Sequence, residues 1–88
     1  MDRKNKLNIT STIENIKNTV GEYCKQYRIN DLNLNLIDFA YFNEINFKSV
    51  WAFENGRSTN LKYLFYYYNV AYGFKRDKFI KGLFELWQ

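Results

Sequence analysis

Apolar residues recur every three or four positions through most of this 88-residue chain. That spacing restricts the chain to packed helices. Ile9, Ile13, Ile16, Val20, Tyr23 and Tyr27 make one stripe, which predicts a helix over 9–27. Ser11 followed by Glu14 has capping-box spacing and places the regular start near Ser11. Gly21 costs about 1 kcal/mol relative to Ala inside a helix, so it is read as a close helix contact. Cys24, beside the stripe, is read as a buried inert thiol. Residues 28–35 read as a loop, although Leu32, Leu34 and Leu36 alternate as a short strand would.

A second helix is predicted over Leu36 to Asn43, capped by Asn35, with Ile37, Phe39 and Ala40 inward. Asn46 followed by Ser49 caps a third, running from Phe47 to Asn55, with Val50 and Phe53 inward. Gly56 stands where a helix end takes a left-handed residue. Leu61, Leu64, Phe65 and Tyr68 predict a fourth helix ending before Gly73; within it, Tyr68 is inward while Tyr66 and Tyr67 lie at the surface. Phe79, Ile80, Leu83 and Trp87 predict a fifth helix from about Arg76. The fold class is all-α, one compact five-helix domain over 1–88.

Composition narrows the chemistry. Apolar residues make up 47% and aromatics 20%, which is enough to build a core. The chain has no His and one Cys, which removes His-based triads, His-ligated zinc sites and an internal disulfide. No paired carboxylates, phosphate loop or nucleophile–base pair is present, so no enzyme, cofactor or metal is expected. No apolar run reaches a membrane span, and the charged start lacks an apolar signal region. The expected compartment is the cytoplasm. Net charge is +4, with bases at both ends. From Asp31 to Glu54 there are four acids and one base, Lys48.

The middle of the chain, Asp38 to Arg57, resembles the Cro/CI-like (XRE) helix-turn-helix family. Phe39-Ala40 matches that family's Leu-Ala pair, and Ile45-Asn46 its Val/Ile-Ser pair. Val50, Phe53 and Glu54-Asn55-Gly56-Arg57 match the end of its recognition helix. Tyr72-Gly73-Phe74 resembles the step before its last helix, at the usual distance from Gly56. The resemblance spans roughly residues 13–84. It implies a lambda-repressor-like fold with the helix-turn-helix unit at about 36–56. It also implies that Glu54 pairs with an Arg on the first helix, for which Arg28 is the candidate. Ala40 is then small because two helices cross there.

The departures are specific. Glu44 replaces the turn Gly, and Leu36 replaces the polar residue that opens the first motif helix. The outward positions of helix 47–55 are Phe47, Lys48, Trp51 and Ala52, where hydrogen-bonding side chains usually read bases. Phe47 and Trp51 either fold back onto the core or stand in solvent as an aromatic patch. A Trp51 ring in solvent beside Phe47 points to a protein partner.

The resemblance implies a small transcriptional regulator of phage, plasmid or bacterial type. It would bind double-stranded DNA as a homodimer, with no membrane partner. Lys48, Trp51, Phe47 and Ala52 would meet base edges. Lys48, Asn55, Arg57, Lys62 and the amides after Asn55 would meet or flank phosphate. Phe84, Leu86 and Trp87 are the expected dimer contact. The alternative is the same fold used as a protein-binding module, through Phe47 and Trp51.

Overall fold

The computed structural model describes the backbone of residues 2–86 and the side chains of residues 13–86. Five helices follow in order: α1 (Asp2–Asn30), α2 (Leu36–Phe42), α3 (Phe47–Glu54), α4 (Lys62–Val70) and α5 (Phe74–Glu85). No strand occurs among the described residues. The all-helical expectation therefore holds, and the alternating leucines of 32–36 form no strand. Leu32, Leu34 and Leu36 instead pack against the core. None of the described helices is long and apolar enough to cross a membrane.

α1 differs most from its prediction. It begins at Asp2 rather than near Ser11 and continues through Asn30. At 29 residues it is about 43 Å long. The other helices have 7 to 12 residues; α3, α4 and α5 pack on α1, and α2 packs on α3. Val20, Cys24 and Tyr27 are accordingly buried, whereas Ile13 and Ile16 on the same stripe are exposed. The side chains of Ile9 and Ser11 lie outside the described residues.

The core is aromatic. Tyr67, Phe39, Phe79, Val50 and Cys24 are its largest fully buried side chains. Phe39 and Tyr67 have ring centroids 4.5 Å apart, and Tyr27 and Phe79 4.7 Å apart. Such contacts contribute about 0.5–1.5 kcal/mol each beyond area burial. Tyrosine hydroxyls reach partners at the edge of the core. Tyr23 Oη donates to Phe79 O at 2.8 Å, and Tyr27 Oη to Lys75 O at 2.7 Å, which ties α1 to α5. Cys24 is buried as expected, and burial pushes its thiol well above the ordinary range.

Two predicted faces are turned. In α4 the buried tyrosine is Tyr67, not Tyr68, and Leu61 and Phe65 point into solvent. A buried phenol needs a partner, and Tyr67 finds one in Glu54. In α2, Phe39 and Ala40 are buried but Ile37 is exposed. A seven-residue helix buries one side, and Ile37 is nearly opposite Phe39, on the solvent flank of Ala40. In α5 the start is Phe74 rather than Arg76; Phe79 is buried and Ile80 borders solvent. Trp87 lies outside the described residues.

Candidate functional site

The region of interest is built by α2, a four-residue connection and α3. Asn35 Oδ1 accepts from Asp38 N at 2.7 Å and caps α2. Asn46 Oδ1 caps α3, accepting from Lys48 N at 2.8 Å rather than from Ser49. Between them, Ile45 N donates to Ala40 O at 3.0 Å. Glu44 occupies the left-handed region at φ +55°, a conformation that favours Gly. Val50 and Phe53 are buried and hold one face of α3 to the core, as predicted. Ala40 is buried as well.

The far end of α3 is held by a buried polar cluster. Arg28 Nε donates to Glu54 Oε2 at 2.8 Å and Arg28 Nη2 to Glu54 Oε1 at 2.9 Å, a bidentate pair. Arg28 Nη1 donates to Leu34 O at 2.9 Å, and Tyr67 Oη donates to Glu54 Oε2 at 2.7 Å. α1 and α4 thereby converge on one carboxylate of α3, and Arg28 also ties in the connection before α2. The hydrogen bond to Glu54 holds Arg28 above its usual range, against the opposing effect of burial. Burial first, then the Glu54 charge, pushes the Tyr67 phenol far up. No buried side-chain polar atom among the described residues lacks a partner. The cluster is a clamp with no free acid or base.

Gly21 explains how α3 comes so close to α1. A Cβ on Gly21 would lie 2.5 Å from the Glu54 carbonyl oxygen and 2.6 Å from that of Phe53. Gly56 has φ +72°, as its position after α3 predicts. The amides after α3 close the helix itself. Asn55 N donates to Trp51 O, Gly56 N to Phe53 O and Arg57 N to Ala52 O. The expected phosphate contact by these amides is therefore corrected. Asn55 Nδ2 also donates to Trp51 O, at 2.8 Å, so part of that side chain is committed to the helix end.

The outward face of α3 is open. Phe47 is 43% exposed and Trp51 47% exposed, so neither ring folds back into the core. Trp51 is not bare, because the Arg57 guanidinium lies 5.3 Å from its ring centroid. Lys48 and Asn55 are exposed and Ala52 is half-buried. Lys62 is exposed at the start of α4, with Nζ 6.0 Å from the Tyr63 ring centroid. Ile37 and Tyr41 are exposed one turn apart on α2, and Phe42 is exposed beside Tyr41. These three were missed as surface residues. For Ile37 and Tyr41, the i, i+4 placement away from Phe39 was the available signal.

Of the expected dimer residues, Phe84 is exposed, Leu86 packs partly against the core, and Trp87 lies outside the described residues. Among the described residues, no cluster of metal-ligating side chains occurs. Comparison with protein-family models, curated proteins and solved structures gives no match.

Proposed function

We propose that this chain is a lambda-repressor-like helix-turn-helix domain that binds double-stranded DNA as a homodimer, with α3 in the major groove. The observation that carries the reading is the way α3 is held. Val50 and Phe53 fasten its inner side, and the bidentate Arg28–Glu54 pair fastens its end. Its outer side, Phe47, Lys48 and Trp51, is left uncovered. The Arg28–Glu54 pair is also the one that the family resemblance implies. Lys48, Arg57 and Lys62 supply positive charge on or beside that face, and two copies would reach successive grooves about 34 Å apart. Arg57, stacked on Trp51, is held ready for phosphate.

Fluorescence anisotropy on a short duplex tests this reading. Binding weakens linearly in log–log terms as salt rises. The Lys48→Ala, Arg57→Ala double variant, which removes four charges from the dimer, binds less tightly, with the salt slope reduced by about 3 to 4. Binding without a negative salt slope, or none at low salt, overturns the reading.

A second reading rests on the half-exposed Phe47 and Trp51, continued on α2 by exposed Ile37 and Tyr41. Aromatic surface of this kind forms the core of protein interfaces. In this reading α3 presents an adaptor face to another protein. Trp51→Ala then abolishes capture of that protein, while the Lys48→Ala, Arg57→Ala variant leaves it nearly unchanged. The reverse pattern in the same pulldown removes this reading.

A further inference from the structure

The outer face of α3 offers few hydrogen bonds for a surface that would enter a groove. Phe47 and Trp51 stand four apart, and Lys48 and Ala52 stand four apart beside them. Both rings are half-exposed. Within positions 47–52, Lys48 is the one charged side chain, and Arg, Asn and Gln do not occur. Those three are the side chains that make paired hydrogen bonds to guanine or adenine. Ser49 is half-buried, and a hydroxyl pairs with any base. Asn55 is turned back on the helix end, with its Nδ2 donating to Trp51 O at 2.8 Å. Arg57 spends its guanidinium on the Trp51 ring, 5.3 Å from the centroid. Glu44, exposed just before α3, has the sign of a phosphate and adds no attraction to one. The face is therefore matched to apolar groups rather than to base donors and acceptors. The major groove of unmodified DNA presents one such group, the C5-methyl of thymine.

We propose that α3 reads thymine methyls, with Phe47, Trp51 and Ala52 selecting T-rich half-sites. The inference rests on the DNA reading above and names the sequence class within it. A methyl covered by these side chains leaves water together with the ring surface it touches, which corresponds to about fourfold in affinity for each methyl. The opposite sequence is selected against by the same face. A guanine or cytosine edge set against the rings gives up its water and gains no hydrogen-bond partner. Lys48 and Arg57 fix the position of the helix through phosphates, which are alike in every base pair. Base choice is thereby left to the two rings and Ala52.

Duplexes that differ in the C5-methyl and keep every hydrogen-bonding group test the proposal. The probes are alternating dA-dT against alternating dA-dU, and alternating dG-dC against its 5-methylcytosine form. Each has about 24 base pairs, enough for two half-sites one turn apart. Fluorescence anisotropy at one fixed salt concentration reads the affinities. The chain binds dA-dT about tenfold or more tighter than dA-dU, from one or more methyls covered in each half-site. Methylation of cytosine tightens binding to dG-dC in the same direction. The salt slope is equal within each pair, because the phosphates are unchanged. Phe47→Ala with Trp51→Ala removes the methyl preference and keeps a negative salt slope, while circular dichroism shows the helices intact. Equal affinity within both pairs, with a negative salt slope, overturns this inference and leaves the DNA reading standing. A methyl preference that survives removal of both rings also overturns it. Absence of binding to all four duplexes at low salt overturns the DNA reading, and this inference with it.

Discussion

Arg28→Met is expected to cost about 3–5 kcal/mol of folding stability, because it leaves Glu54 buried without its charged partner. The whole domain, at 88 residues, has about 4–13 kcal/mol to lose. The loss is large because Glu54 is 5% exposed and cannot turn to water. Tyr67 Oη remains as a donor but brings no charge. Urea unfolding followed by circular dichroism reads the effect as a lower midpoint. Converting the pair together, Arg28→Met with Glu54→Leu, recovers much of the loss, since an apolar pair has no desolvation cost. Tyr67→Phe costs less, about 1–3 kcal/mol, because one hydrogen bond to a charged group is removed. An Arg28→Met variant within 1 kcal/mol of wild type would show that the clamp does not hold α3.

Gly21→Ala is expected to destabilise by about 3 kcal/mol, opposite in sign to the roughly 1 kcal/mol gain that helix propensity gives. The new Cβ meets the carbonyl oxygens of Phe53 and Glu54 at 2.6 and 2.5 Å. These are backbone atoms, so no rotamer change relieves the overlap. Either α1 and α3 separate, or the end of α3 shifts and the Arg28–Glu54 geometry loosens. Thermal unfolding monitored at 222 nm measures it. A higher midpoint than wild type would mean that α1 and α3 are not in contact at Gly21. If α3 also reads DNA, the variant loses affinity in proportion to that displacement, with the salt slope kept.

Much of the fold was legible because it depends on local chemistry. Helix spacing, Asn35 and Asn46 as caps, and Gly56 as a left-handed end each act within one turn of chain. All appear where they were expected. The start of α1 was not legible, since Ser11 and Glu14 have a capping spacing that the longer helix overrides. The faces of α2 and α4 were misread for a related reason. Phe, Tyr and Ile are apolar on any face, and aromatic residues crowd both helices. Tyr67 was separable from Tyr66 and Tyr68 only through its hydroxyl partner, thirteen positions away in the chain.

The candidate site divides the same way. The 3.6-residue period placed Val50 and Phe53 inward, and the family pattern put Phe47, Lys48 and Trp51 at outward positions while leaving the two rings free to fold back. The family resemblance, not spacing, put Glu54 opposite Arg28. Side-chain orientation at Trp51 and the fate of the amides after α3 were decided by tertiary structure. An aromatic ring turns inward only if the neighbouring helices leave it room, and a helix-end amide faces outward only if no carbonyl claims it. The chain's own sequence thus determined an all-helical core and the inward and outward sides of α3. Packing decided that α3 presents half-exposed rings, with Arg57 over Trp51, and that Leu61 and Phe65 are uncovered. The reason is physical: periodicity is set by bonds within a helix, whereas burial is set by how much surface the neighbouring helices can reach.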